Sequence, residues 1–297
     1  KNEMPANYPD NEKFAGEMNG RAYPNMKDSI ILCLLFLGIQ VGLGIVILVL
    51  RMLATVLQID ILSFIGTLNA LCNIVAFGIV LFIGFKKSKR KFNEIFKFNK
   101  VPLFSWISIV IFMLGFVIVI SELDNILNYL LPMPEMFKNL FESLVTEQAF
   151  IAVLITAAIV PAFTEELFFR GLVLDGFNRN YTPQKAILVS ALLFGIIHLN
   201  PWQFFGGFIV GLFAAWVCIK ANSIWLSIYI HLFNNALFTI TMRYRDFIPV
   251  RGFNTSDAVS IEFQPLWFDI LGLVLSAIGI LLFKKSVSGK AKNGACG

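Results

Sequence analysis

Long apolar stretches separated by short polar segments dominate this sequence. A run of about 18 or more apolar residues is long enough for a helix that crosses the hydrocarbon core of a membrane. The pattern predicts eight such spans, at about residues 29–50, 61–85, 103–121, 149–172, 184–200, 203–220, 223–242 and 266–283. The expected fold class is therefore all-α, a polytopic transmembrane helical bundle.

Composition and charge place this bundle in the membrane. The chain is 57% hydrophobic and 14% charged, whereas a soluble domain is about 25% charged. Lysine and arginine cluster after the second span, in residues 86–91, and after the eighth, in residues 284–292. Such clusters favour the cytoplasmic side, so we expect both termini there. Their expected partners are anionic membrane lipids. Nucleic acid is not expected, because no aromatic side chains are interleaved with the basic ones.

The spans and the charges together predict the domain organisation. We expect a polar cytoplasmic tail at residues 1–28, the bundle at 29–283 and a basic cytoplasmic tail at 284–297. Residues 125–147 are predicted to form a short interfacial helix on the outer face. Asn69 and Asn73, one turn apart in the second span, are interpreted as interhelical hydrogen-bonding residues.

A group of ionisable residues lies in the fourth predicted span, where such residues usually mark function. Glu166 and Arg170 are four residues apart and can pair along one helix face. Glu165 points elsewhere, has no cation on its own helix and suits a general base. The alternative is that these charges end the span and extend to water at the cytoplasmic surface.

The only two histidines of the chain also lie inside predicted spans. Phe194 shares a helix face with His198, and His231 shares one with Asn235. Imidazole and carboxamide are donors that can bind a developing oxyanion. The alternatives are a core histidine with satisfied hydrogen bonds and an interhelical clamp. At about 1.5 Å per residue, Glu165 and His231 lie ~10–12 Å from the cytoplasmic ends of their helices, but His198 lies ~20 Å along its own.

Three motifs occur in order on these spans: Glu-Glu-x-x-x-Arg, Phe-x-x-x-His and His-x-x-x-Asn. They resemble the CAAX protease and bacteriocin-processing family, over residues 120–240. The resemblance implies an intramembrane endopeptidase in a bacterial cell membrane, with its site open to the cytoplasmic side. Its substrate would be a membrane-associated peptide, prenylated or leader-bearing.

The resemblance also implies roles for the motif residues. Glu165 and His198 would activate water, and His231 with Asn235 would stabilise the oxyanion. The supporting residues would be Glu166, Arg170 and Phe194.

A metal-free glutamate mechanism is favoured, without a cofactor. The alternative is a zinc site formed by Glu165, His198 and His231, since an open zinc site needs three protein ligands. Two non-proteolytic functions are also considered. One is a non-catalytic scaffold or bacteriocin-immunity protein of the same family, and the other is a transporter, because intramembrane Glu, His and Asn also build proton relays.

Overall fold

The computed structural model describes residues 22–59, 62–146, 149–244, 249–253 and 261–293, and contains no strands within them. Apart from a one-turn helix, Phe92–Ile95, the described residues form nine helices. These are α1 Met26–Val56, α2 Leu62–Ser88, α3 Leu103–Leu130, α4 Glu135–Thr146, α5 Phe150–Asn180, α6 Pro183–Ile196, α7 Pro201–Ala221, α8 Trp225–Arg243 and α9 Leu266–Asn293. The prediction of an all-α chain is confirmed.

Six of these helices are long and apolar enough to cross a membrane: α1, α2, α3, α5, α7 and α9. The predicted number of eight is not confirmed. Helix α6 has only 14 residues. Helix α8 has 19 residues, but its polar side chains His231, Asn234 and Asn235 reduce its hydropathy. Both histidines are thus associated with these two helices: His231 lies in α8, and His198 follows the end of α6.

Several helices extend beyond the predicted spans. Helix α1 begins at Met26, behind an Asn25 side chain that accepts a hydrogen bond from the Asp28 backbone. At the other end of the chain, α9 continues to Asn293. Hydropathy detects the part of a helix that suits lipid, whereas the hydrogen-bonded helix can continue where polar residues contact protein or water. Of the segment 125–147 that was predicted to form an interfacial helix, the first residues continue α3 to Leu130, and a separate amphipathic helix, α4, follows.

The helices pack around two groups of buried apolar side chains. The first joins α1, α2, α5, α6 and α7, and includes Phe77, Phe168, Phe169 and Phe177. The second joins α3, α7, α8 and α9. Glycines allow α3 and α9 to approach closely, since a Cβ atom on Gly115 would lie 2.4 Å from the carbonyl oxygen of Gly272. Small residues at helix interfaces are typical of membrane bundles.

Helix α5 is irregular on both sides of its two glutamates. Two π-helical stretches, Leu154–Ile159 and Leu167–Val173, flank a short α-helical segment, Val160–Glu166. Pro161 lies in that central part, where it supplies no backbone N–H. π-helical insertions are frequent at functional sites. The hydropathy pattern carries no sign of them, because it does not report hydrogen-bond register.

Candidate active site

Glu166 and Arg170 form a fully buried ion pair on α5. Arg170 Nη1 donates to Glu166 Oε1 at 2.7 Å, and both side chains are 0% exposed. The pairing predicted from their spacing is confirmed. A charge buried away from water needs such a partner, because its desolvation is otherwise uncompensated.

His231 on α8 joins this pair from the neighbouring helix. Its Nδ1 lies 2.9 Å from Glu166 Oε1. Because an ionised carboxylate only accepts hydrogen bonds, Nδ1 carries the hydrogen and Nε2 is the ring nitrogen that remains for chemistry. Nε2 faces Glu165, at 3.9 Å from Oε2. Glu165 has no described ion-pair partner on its own helix, as expected, but it faces an imidazole on another.

The Glu165 carboxylate is buried and available. Its Oε2 accepts no hydrogen bond from the described residues. At 3.9 Å the His231 nitrogen is too distant for a hydrogen bond. Thr164, the preceding residue, is bonded through its hydroxyl to Asn73 Oδ1 on α2 at 2.9 Å. Asn73 is therefore an interhelical residue, as predicted, and it ties α2 to the turn that presents Glu165.

Phe194 on α6 brings the remaining groups together. The guanidinium of Arg170 lies over its ring, with Cζ 4.4 Å from the centroid. The imidazoles of His198 and His231 both meet this ring edge to face, at centroid distances of 5.3 and 5.5 Å. His198 therefore contacts the same ring as His231 despite its different predicted depth.

His198 is half-buried in the turn that follows α6. Its Nδ1 lies 2.9 Å from the carbonyl oxygen of Phe194, an acceptor, so Nδ1 carries the hydrogen and Nε2 is free to act as a base. No hydrogen bond or ion pair between the described residues joins His198 directly to Glu165. The two are connected through Phe194 and His231.

Asn235 lies one turn after His231, and its carboxamide contacts the backbone of α5. Nδ2 donates to the carbonyl oxygen of Ala157 at 3.1 Å, and Oδ1 accepts from Asn234 Nδ2 at 3.3 Å. An amide nitrogen has two hydrogens. One is used by Ala157, and the other can donate to a substrate oxygen.

The geometry does not fit the alternative zinc site. Among the described residues, no three His, Cys, Asp or Glu side chains are grouped to hold a metal ion. The described contacts do not bring His198 to Glu165. We therefore derive no step through a metal.

Comparison with protein families gives one result. Residues 147–237 match the model of the type II CAAX prenyl endopeptidase Rce1-like family. This part of the chain is similar to the Rce1-like family. The Rce1-like region includes all seven predicted site residues and ends two positions after Asn235. It supports a CAAX-type protease in a multi-pass membrane protein. No curated protein and no solved structure matches this chain.

Proposed function

We propose that this protein is an intramembrane endopeptidase that hydrolyses a peptide bond in a membrane-associated peptide, either prenylated or leader-bearing. The observation that carries the proposal is the pair of adjacent buried glutamates with different surroundings. Glu166 Oε1 is bonded to Arg170 and His231, whereas the described polar contact of Glu165 is with His231 Nε2 at 3.9 Å, beyond hydrogen-bond distance. A free carboxylate next to a fixed imidazole is suited to general acid–base catalysis.

In the proposed reaction, Glu165 accepts a proton from water as the water oxygen bonds to the substrate carbonyl carbon. His198, through Nε2, assists in orienting this water. The carbonyl oxygen becomes an oxyanion, which receives hydrogen bonds from His231 Nε2 and Asn235 Nδ2. Collapse of the intermediate breaks the carbon–nitrogen bond, and Glu165 returns the proton to the leaving amine.

Glu166, Arg170 and Phe194 support this chemistry without touching the substrate. The Glu166 carboxylate holds His231 Nδ1–H at 2.9 Å, which orients the ring, and donation to the oxyanion requires a proton on Nε2 as well. A third group that orients a catalytic histidine is common to many hydrolytic sites. We propose that the mechanism needs no metal.

We further propose that the site opens to the cytoplasmic side of a bacterial cell membrane. Asp175, near the end of α5, is bonded to Arg90, and its carboxylate lies 3.7 Å from Lys97 Nζ. These cations belong to the basic segment after α2, which the positive-inside tendency assigns to the cytoplasm. Asp175 is ten residues, or ~15 Å along a helix, from Glu165.

The test is cleavage of synthetic peptides by purified protein in detergent micelles. Prenylated CAAX peptides, the same peptides without the lipid, and leader peptides are compared for the wild type and for Glu165→Gln. We expect the substitution to lower kcat by about 10²–10⁴-fold, the usual contribution of a general base. Glu94→Gln, in an exposed pair with Arg90, is the matched control and should keep full activity. Undiminished cleavage by Glu165→Gln would refute the proposal.

A further inference from the structure

A carboxylate and a buried amide meet near the end of α3. Glu122 Oε2 accepts hydrogen bonds from Asn125 Nδ2 at 2.9 Å and from the backbone N–H of Gln264 at 3.0 Å. The Gln264 side chain reaches back along α3, where its Nε2 donates to the carbonyl oxygen of Ile118 at 3.2 Å. The amide of Gln264 therefore lies over the turn of α3 that leads from Ile118 to Glu122.

A second carboxylate, that of Asp269 on α9, lies beside the same turn. Helices α3 and α9 are antiparallel, because a serine pair joins the first turn of α3 to the C-terminal part of α9, whereas a Cβ atom on Gly272 would lie 2.8 Å from Ile118 Cγ2. Asp269 comes one turn before Gly272, and Glu122 comes one turn after Ile118, so the two acids are at one level of the pair. Their carboxylates are close enough for their charges to interact.

Two oxygens at this junction of α3, α9 and Gln264 lack a hydrogen-bond donor. Gln264 is 6% exposed, and its Oε1 is buried without a partner. Asp269 Oδ1 is also buried without a partner. Among the described residues, no ion pair joins Glu122 or Asp269 to a basic side chain. Since charges withdrawn from water are normally paired or coordinate a metal, these groups favour a bound cation.

We propose that this junction binds a divalent cation, with Ca²⁺ as the ion that suits its ligands. The ligands are Glu122 Oε1, Asp269 Oδ1 and Gln264 Oε1, and water completes the coordination. Ca²⁺ takes about six to eight oxygens from carboxylates, amide carbonyls and water in a flexible arrangement, whereas Mg²⁺ demands a near-ideal octahedron. With two acids and an amide, the junction is outside the groups of three His, Cys, Asp or Glu considered above for the described residues.

The junction lies at the ends of α3 and α9 that are away from the basic residues. Lys97 and Lys100 precede α3, and Lys284 and Lys285 lie in the C-terminal part of α9. The positive-inside tendency assigns those ends to the cytoplasm, and hence the junction to the opposite side. Both carboxylate residues are half-buried, so ions can reach them. Extracellular calcium modules bind with Kd of about 10⁻⁴–10⁻³ M, the range that we expect here.

The first test is titration of the full chain in detergent with CaCl₂ alone, after divalent ions have been removed with EGTA. Because the ligands come from α3, α9 and the segment before α9, bound Ca²⁺ should stabilise the folded chain. At about ten times Kd, Tm should rise by about 3–6 °C, and NaCl of equal ionic strength should not reproduce the rise. No increase with Ca²⁺, or an equal increase with NaCl, would overturn the proposal.

The second test assigns the ligands. Asp269→Asn and Glu122→Gln each remove one of the two charges that face the ion, and each should weaken Ca²⁺ binding by about 10-fold or more in calorimetric titrations. Glu262→Gln is the matched control, because Glu262 lies in the same segment as Gln264 but is paired with exposed Arg251 at 3.7 Å. It should bind Ca²⁺ like the wild type. Unchanged affinity in Asp269→Asn and Glu122→Gln would overturn the assignment.

A third variant protects the test against misfolding. Gln264→Glu adds a third carboxylate to the junction, and affinity for Ca²⁺ rises with the charge of the ligands. We therefore expect tighter binding, a gain that an unfolded protein cannot show. Weaker binding by a variant that retains the wild-type Tm without Ca²⁺ would contradict the coordination by residue 264.

Two further outcomes would have a different meaning. A Tm that responds to pH and not to Ca²⁺ would assign a shared proton to Glu122 and Asp269 and overturn the cation proposal. The titrations need no peptidase activity, so failure to cleave any peptide overturns the proposed function alone. An active protein without a Ca²⁺ response overturns the cation site alone.

Discussion

Glu165 and Glu166 are adjacent and both buried, so replacing each by glutamine can separate catalysis from stability. Glu166 Oε1 accepts from Arg170 Nη1 at 2.7 Å and from His231 Nδ1 at 2.9 Å. The described ion-pair partner of Glu165 is His231 Nε2, at 3.9 Å. Glu166→Gln removes the charge that balances Arg170, whereas Glu165→Gln removes a carboxylate whose described ion-pair contact, with His231, is longer by about 1 Å.

The magnitudes follow from this difference. Removing one partner of a buried ion pair costs about 3–5 kcal/mol in the free energy of unfolding. At about 2–4 °C per kcal/mol for a chain of this size, Glu166→Gln should lower Tm by about 6–20 °C. Glu165→Gln should change Tm by no more than about 4 °C, because it breaks no close ion pair.

The assay measures thermal unfolding and peptide cleavage on the same detergent-solubilised samples. We expect Glu165→Gln to be folded and inactive, and Glu166→Gln to be markedly less stable. Adding Arg170→Met to Glu166→Gln removes the unbalanced cation and should recover part of the lost Tm. Equal Tm decreases for the two glutamine variants, or no recovery in the double variant, would refute the assignment of Glu166 as the structural carboxylate.

Three further outcomes are expected. Phe194→Leu should lower kcat and cost about 0.5–2 kcal/mol of stability, because Arg170 loses the ring face that it contacts; full activity at the wild-type Tm would contradict this. A Cβ on Gly211 would lie 3.1 Å from Arg170 Nη2, whereas one on Gly207 would lie 3.5 Å from His198 Cε1; Gly211→Leu should therefore lower Tm more than Gly207→Leu, in matched unfolding scans. Cleavage should be unchanged by a zinc chelator, and activity that is lost with chelator and restored by zinc would contradict the metal-free mechanism.

Contacts within one helix could be predicted from the sequence. Glu166 and Arg170 pair because α-helical geometry brings residues four apart together. The same spacing correctly placed the Phe194 and His198 rings in contact. These predictions need only the helical period, which the sequence displays.

Contacts between helices could not be predicted in the same way. Glu166 and His231 are 65 residues apart, and Asn235 and Ala157 are 78 apart. Which helix faces which depends on the packing of the whole bundle, including close approaches such as that at Gly115.

The depth of His198 shows how an incomplete span can place a proposed catalytic group. Helix α6 has 14 residues, so it is ~21 Å long, shorter than the ~30 Å hydrocarbon core.

The turn after α6 therefore needs internal hydrogen bonds if it lies within the bundle. The structure supplies several of them: the His198 ring bonds to the Phe194 carbonyl, Asn200 Nδ2 donates to the His198 carbonyl, and Asn200 Oδ1 accepts from the Gln203 backbone as α7 begins. A full-length span would carry this turn, and the histidine with it, farther along the helix axis. The short helix instead ends where its imidazole contacts the same phenyl ring as His231.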